Sequence, residues 1–168
     1  MKRASRSAAG RLRTGRPARL FYHVVRLALG AVFIYASIDK IRHPAAFAEA
    51  IANYRILPDV LVNPTALVLP WLELVIGALL VCGTWMPGAV VLAAGLLTAF
   101  EGAFIFNILR GLNVYCGCFA TSGEVLHGNA WYLARDTFFL AAALYLLAAL
   151  PRFTEGGRRK KPPQSPRA

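Results

Sequence analysis

Four long apolar runs dominate the chain, and polar segments separate and flank them. The runs cover about residues 20–41, 65–83, 87–109 and 129–150. Each is long enough to cross about 30 Å of hydrocarbon at a rise of about 1.5 Å per helical residue. The first run is also longer than the apolar part of a cleaved signal peptide. The pattern therefore predicts an all-α fold, a bundle of four transmembrane helices.

A shorter element is expected between the first two runs. The segment 43–58 is too polar to cross a membrane, but Pro44 suits the first turn of a helix. Phe47, Ile51 and Tyr54 then recur at helical spacing. We expect a short amphipathic helix that lies in the membrane interface and ends at Pro58.

Positive charge is concentrated at the two ends of the chain. The sequence is 57% hydrophobic and 16% charged, with mean hydropathy +0.50 and net charge +11. Seven of the 19 Lys and Arg lie before Leu20, and six lie from Arg152 onward. The tails 1–19 and 151–168 are therefore basic, and we expect them to be disordered. Cations that flank apolar runs are typical of topogenic signals and argue against nucleic-acid binding.

The same charges predict an orientation. An even number of crossings places both tails on one side, and the positive-inside rule makes that side the cytoplasm. Segments 42–64 and 110–128 then face the opposite side. We therefore expect a multi-pass protein of the inner (plasma) membrane, with the lipid bilayer as its surroundings and the second of these segments in the periplasm.

Two cysteines in the segment before the fourth run are the first candidates for chemistry. Cys116 and Cys118 flank Gly117, and they face the side predicted to be oxidising. A disulfide across this short spacing is strained, and strain makes a disulfide easier to reduce. The pattern favours catalytic thiol–disulfide exchange, with a structural pair or two free thiols as the alternative. Cys82 lies at the other end of its span, and we interpret it as a packing residue.

His127 follows the cysteines and is a candidate acid/base for thiol exchange, although a solvated loop histidine is the simpler interpretation. A metal site with His127 as third ligand is a further alternative. The chain lacks the repeated Cys and His spacing of zinc sites, so we expect no metal.

Ionisable residues inside the apolar runs are the second set of candidates: Glu73, Glu101, Arg135 and Asp136. All lie about 10–15 Å from the periplasmic ends of their predicted helices. Charges in lipid cost several kcal/mol each, so we expect one polar intramembrane network. It would serve redox chemistry as a proton path or, alternatively, fix helix packing through an ion pair of Arg135 with Glu73 or Glu101. Asp39 and Lys40 end the first run, and we expect them to form a structural end-cap.

Several stretches resemble a known family. Residues 37–41 (SIDKI) and 70–73 (PWLE) are similar to the DoxX type of membrane protein, and 116–119 (CGCF) is closest to its MauE branch. The resemblance covers about residues 30–150. It implies a four-helix membrane protein linked to redox maturation of periplasmic proteins, and relatives of the DoxX type imply quinone as a cofactor or electron acceptor.

The resemblance and the cysteines together suggest thiol–disulfide or quinone-linked maturation with a periplasmic redox partner. The chain has no second cysteine pair, so a relay that depends on a partner is favoured over a self-contained thiol-to-quinone path. The alternatives are a non-catalytic assembly or export factor and a small membrane subunit of a larger oxidoreductase. Whether the chain is itself an enzyme stays open.

Overall fold

The computed structural model describes residues 16–111 and 129–158, with side chains for 17–111 and 130–151. Five helices make up this part: α1 (Arg16–Arg42), α2 (Pro44–Asn53), α3 (Asp59–Cys82), α4 (Met86–Leu109) and α5 (Asn129–Arg158). Helices α1, α3, α4 and α5 are long and apolar enough to span a membrane. The predicted all-α bundle of four spans with a short helix after the first is confirmed.

Three of the long helices extend several residues beyond the predicted runs, and α1 begins at Arg16 rather than at residue 20. Helix α3 begins at Asp59 rather than near Thr65, because residues 60–62 are apolar and Pro64 is accommodated inside the helix. Proline is tolerated within spanning helices when the surrounding structure satisfies the freed backbone groups. Helix α5 likewise continues to Arg158 and includes Pro151.

The helices alternate in direction, so one end of the bundle carries α2, the C-terminal ends of α1 and α4, and the N-terminal ends of α3 and α5. We refer to it as the α2 end, and to the opposite end as the tail end. At the tail end a tight turn joins α3 to α4. Gly83 there has φ 73°, the left-handed conformation that glycine adopts without strain, and its N–H donates to the Leu79 carbonyl at 2.9 Å.

Apolar and polar residues occupy different halves of the interior. The main apolar core lies toward the tail end, and its largest fully buried members are Leu29, Ile76, Leu80, Val90 and Leu146. The buried polar side chains lie from the middle toward the α2 end: Ser37, Lys40, Glu73, Glu101, Asn107 and Asp136. Large apolar residues cover the outside of the spans, for example Val68 and Trp71. Such a surface requires lipid, and the chain is a multi-pass membrane protein.

The backbones of α1 and α3 approach each other closely at two glycines. A Cβ atom added at Gly77 would lie 2.9 Å from the Gly30 carbonyl oxygen, and one added at Gly30 would lie 3.1 Å from the Gly77 carbonyl oxygen. Small residues of this kind let spanning helices pack by backbone contact.

We therefore expect Gly77→Ala to separate the two helices and to lower the stability of the bundle by about 1–3 kcal/mol. Unfolding of the purified protein in detergent measures the change. Gly102→Ala is the matched control, because a Cβ atom at Gly102 meets nothing within 4 Å. Equal stability of the two variants would contradict the close contact.

Candidate functional site: buried charges at the α2 end

Lys40 and Glu73 form a buried ion pair between α1 and α3. The Lys40 Nζ atom lies 2.6 Å from Glu73 Oε1 and 2.8 Å from Oε2. Lys40 is 1% exposed and Glu73 is 3% exposed. The ammonium therefore donates to both carboxylate oxygens, and neither charge contacts lipid. Burial makes this pair costly to break, because the remaining charge would stay in the interior without a partner.

The direction of the Lys40 side chain follows from its place in α1. Helical Cα–Cβ bonds tilt toward the N-terminus, so a residue near the C-terminal end of a span points back into the membrane. Lysines near span ends commonly extend outward to water instead. Here the side chain turns inward to Glu73, which lies about 21 Å along α3 from Asp59.

Two aromatic rings enclose the rest of the ammonium. The Nζ atom is 4.9 Å from the centre of the Phe47 ring on α2 and 5.2 Å from the centre of the Phe100 ring on α4. Both distances suit cation–π attraction, which is strongest where water is excluded. Through Lys40, four helices meet at one point. The short helix α2 is thereby held against the bundle by a charged contact.

The second buried acid, Glu101 on α4, contacts α5. The Thr137 hydroxyl donates a hydrogen bond to Glu101 Oε1. The other oxygen, Oε2, is buried and has no hydrogen-bond partner among the described residues. Asn107, fully buried farther along α4, donates from Nδ2 to the Ala103 carbonyl at 3.1 Å. Buried polar atoms without partners are uncommon, so Glu101 Oε2 is a group whose burial the described contacts do not offset.

Arg135 and Asp136 form the third contact. Arg135 Nη2 lies 3.0 Å from Asp136 Oδ1, and its Nε donates to the same oxygen at 3.1 Å. The guanidinium also lies 5.4 Å from the centre of the Tyr132 ring. Asp136 is 4% exposed, and Arg135 is half-buried.

An apolar pocket lies beside these contacts, between α2 and the α3–α4 pair. Its volume is about 120 Å³. We refer to it as the α2 pocket, and its walls include Phe47, Ala50, Tyr54, Thr65, Leu69 and Phe100. Phe47 and Phe100 therefore have two neighbours, the Lys40 ammonium on one side and the pocket on the other.

Comparison with known proteins identifies the family. The sequence model described as methylamine utilisation protein MauE matches residues 18–149, which include every buried charge described above. The chain belongs to the MauE family. Relatives named methylamine utilization protein MauE include one from Paracoccus denitrificans, 35% identical over 76% of this chain and 68% of its own length. Another, from Methylorubrum extorquens, is 39% identical over 75% of this chain and 67% of its own length. No solved structure matches.

Within this MauE-family chain, the predicted intramembrane residues take part in separate contacts. Glu73 pairs with Lys40, Glu101 bonds to Thr137, and Arg135 pairs with Asp136. Glu73 is also deeper than the expected 10–15 Å, because α3 begins at Asp59. A single network that links all four predicted residues stays a prediction.

The interpretation of Lys40 as an end-cap is wrong, since its charge is buried against Glu73. Asp39, by contrast, lies at the surface, with its carboxylate 3.5 Å from His43 Nδ1. A sequence signal for Lys40 existed. Leu29, Phe33, Ala36 and Lys40 follow one another at steps of four, three and four residues, which places Lys40 on the buried face of α1.

The other predicted site residues, Cys116, Cys118 and His127, lie outside the described residues. The described helices that flank them, α4 and α5, both meet the intervening segment at the α2 end. Among the residues described, no group of three His, Cys, Asp or Glu side chains is arranged to hold a metal ion. Cys82 is a free, exposed thiol at the tail end, so its interpretation as a packing residue is wrong.

Proposed function

We propose that this MauE-family protein is a membrane component of thiol–disulfide redox maturation of periplasmic proteins, within methylamine utilisation. The observation that carries the proposal is the position of the Cys116-Gly117-Cys118 element. In the sequence this element lies between α4 and α5, and α4 ends and α5 begins at the α2 end of the bundle. The names of the relatives support methylamine utilisation as the process.

The two cysteines suffice for a complete exchange. A Cys116 thiolate attacks a disulfide of the partner protein, which forms a mixed disulfide and releases one partner thiolate. Cys118 then attacks the Cys116 sulfur, releases the second partner thiolate and closes the Cys116–Cys118 disulfide. Two electrons pass to the partner in this direction, and the reverse sequence oxidises a partner dithiol. Cys116 and Cys118 are thus the proposed catalytic pair, with His127 as the proposed acid/base.

In the direction that oxidises a partner dithiol, Cys116 and Cys118 end as thiols, and quinone enters this scheme as the distant electron acceptor that restores their disulfide. In the described part of the chain, the side chains that line the α2 pocket offer only the Tyr54 and Thr65 hydroxyls as polar groups, and Lys40 is not among them. Such a lining does not suit a redox ring whose oxygens must exchange protons. We therefore propose that a second redox partner links the cysteine pair to the quinone pool.

A non-catalytic assembly factor is the alternative function, and the buried contacts give it support. The Lys40–Glu73 pair is fully satisfied and enclosed by rings, as expected of a structural element that fixes helix packing. In that case Cys116 and Cys118 only shape the connection between α4 and α5.

Thiol exchange requires the cysteines to face the oxidising compartment, and this can be tested with fusions. Alkaline phosphatase joined after Gly123 is expected to be active, because the positive-inside rule places that segment in the periplasm. A fusion after Arg152 is expected to be inactive. The reverse pattern would place the cysteines in the reducing cytoplasm and would contradict the proposed function.

A further inference from the structure

The α2 pocket has no role in the buried ion pair or in the proposed thiol exchange. It opens between α2 and the α3–α4 pair, and no charged side chain lines it. A molecule that fills it must therefore place an apolar part inside and keep any charged part outside. In a membrane, the molecules that can place a hydrocarbon chain in such a pocket and a charged group outside it are lipids.

Two opposite charges lie next to pocket-lining residues in the sequence. Ile56 and Leu57 line the pocket, and Arg55 and Asp59 flank this stretch in the sequence. Both charged residues are exposed, and neither forms an ion pair with another residue in the described ranges 16–111 and 129–158. Arg55 follows the end of α2 and has φ 48°, a strained conformation for a side-chain-bearing residue, and Ile56 and Leu57 after it line the pocket.

The charges of Arg55 and Asp59 favour some phospholipid headgroups over others. A guanidinium binds phosphate well, because its planar donors match phosphate oxygens. A carboxylate nearby disfavours a lipid with net negative charge and favours one that also carries a cation. A primary ammonium donates hydrogen bonds to a carboxylate, whereas the quaternary ammonium of choline has no N–H to donate.

We propose that the α2 pocket is a binding site for phosphatidylethanolamine. Part of one acyl chain occupies the pocket against Phe47 and Phe100, the phosphate binds Arg55 and the primary ammonium binds Asp59. The lipid joins α2 to α3 on the face opposite the Lys40 contact. This site is independent of the cysteines, so its test is separate from that of the proposed function.

The test reconstitutes the full chain in phosphatidylcholine nanodiscs that contain small equal amounts of phosphatidylethanolamine, phosphatidylglycerol and ubiquinone. Native mass spectrometry then identifies the molecule that the released protein retains. The proposal expects phosphatidylethanolamine. Ala50→Phe fills the pocket and should abolish retention, whereas Ala141→Phe, on the exposed face of α5, should leave it unchanged.

The charged rim is tested by exposed substitutions that leave the fold intact. Asp59→Asn should shift the preference toward phosphatidylglycerol by roughly fivefold, as expected for one surface charge. Arg55→Gln should weaken retention of both lipids, and Arg42→Gln, an exposed cation at the end of α1, should not. Retention of ubiquinone, equal retention of all phospholipids, or unchanged retention by Ala50→Phe would each overturn the proposal.

Discussion

Lys40→Met is expected to lower the stability of the bundle by about 3–5 kcal/mol, because it leaves the Glu73 carboxylate buried without its partner. Both oxygens of that carboxylate accept from Lys40, and the residue is 3% exposed, so water cannot replace the ammonium. The loss should appear as a lower unfolding midpoint of the purified protein in detergent.

The matched control is Arg42→Met. It removes the same charge from the same helix at an exposed position, and we expect a change within about 0.5 kcal/mol. The double variant Lys40→Met/Glu73→Met should recover much of the lost stability, since replacing a whole buried pair by apolar residues is often neutral. If Lys40→Met and Arg42→Met lower the stability equally, Lys40 and Glu73 do not form a buried pair. The same follows if the stability loss of the double variant equals the sum of the losses of the two single variants.

The second large effect is expected at the cysteines. Changing Cys116 and Cys118 together should abolish maturation of the periplasmic partner while the four spans still insert, because insertion depends on the apolar runs. Normal maturation by the double variant would contradict thiol exchange and favour the assembly-factor function.

The single substitutions separate the roles of the two thiols. If Cys116 attacks and Cys118 resolves, Cys118→Ala should trap a covalent adduct between Cys116 and the partner. If the roles are reversed, Cys116→Ala should trap the adduct through Cys118. Non-reducing electrophoresis of membranes detects the adduct, and reductant should release it. A Cys82→Ala background removes the third thiol, which lies at the tail end of the bundle.

The fold was predictable because its main signal is local. Apolar runs of spanning length and a helical repeat at Phe47, Ile51 and Tyr54 are properties of short stretches, and the structure confirms the elements they indicate. The predicted end of the short helix at Pro58 is wrong, because α2 ends at Asn53 and Arg55 then adopts φ 48°. The start of α3 was harder to predict from the sequence. Pro64 resembles a helix boundary, and only packing against neighbouring helices shows that it lies inside one.

The buried contacts were harder to predict because they join residues far apart in the sequence. Glu73 was recognisable as a charge that needs a partner, but its partner Lys40 lies 33 positions earlier. Position near a helix end suggested a cap, whereas the tilt of the Cα–Cβ bond and the spacing of Leu29, Phe33 and Ala36 place Lys40 in the interior. The α2 pocket depends on three helices at once, so no single stretch of sequence indicates it.

The proposed function depends most directly on whether Cys116 and Cys118 change redox state in living cells. Cells that carry the Cys82→Ala variant are quenched with acid, and their thiols are alkylated with a mass-tagged maleimide before and after reduction. Thiol exchange predicts two populations, one with both cysteines blocked as a disulfide and one with both free, whose ratio shifts when the partner protein is absent. A single population that does not respond to loss of the partner would contradict it.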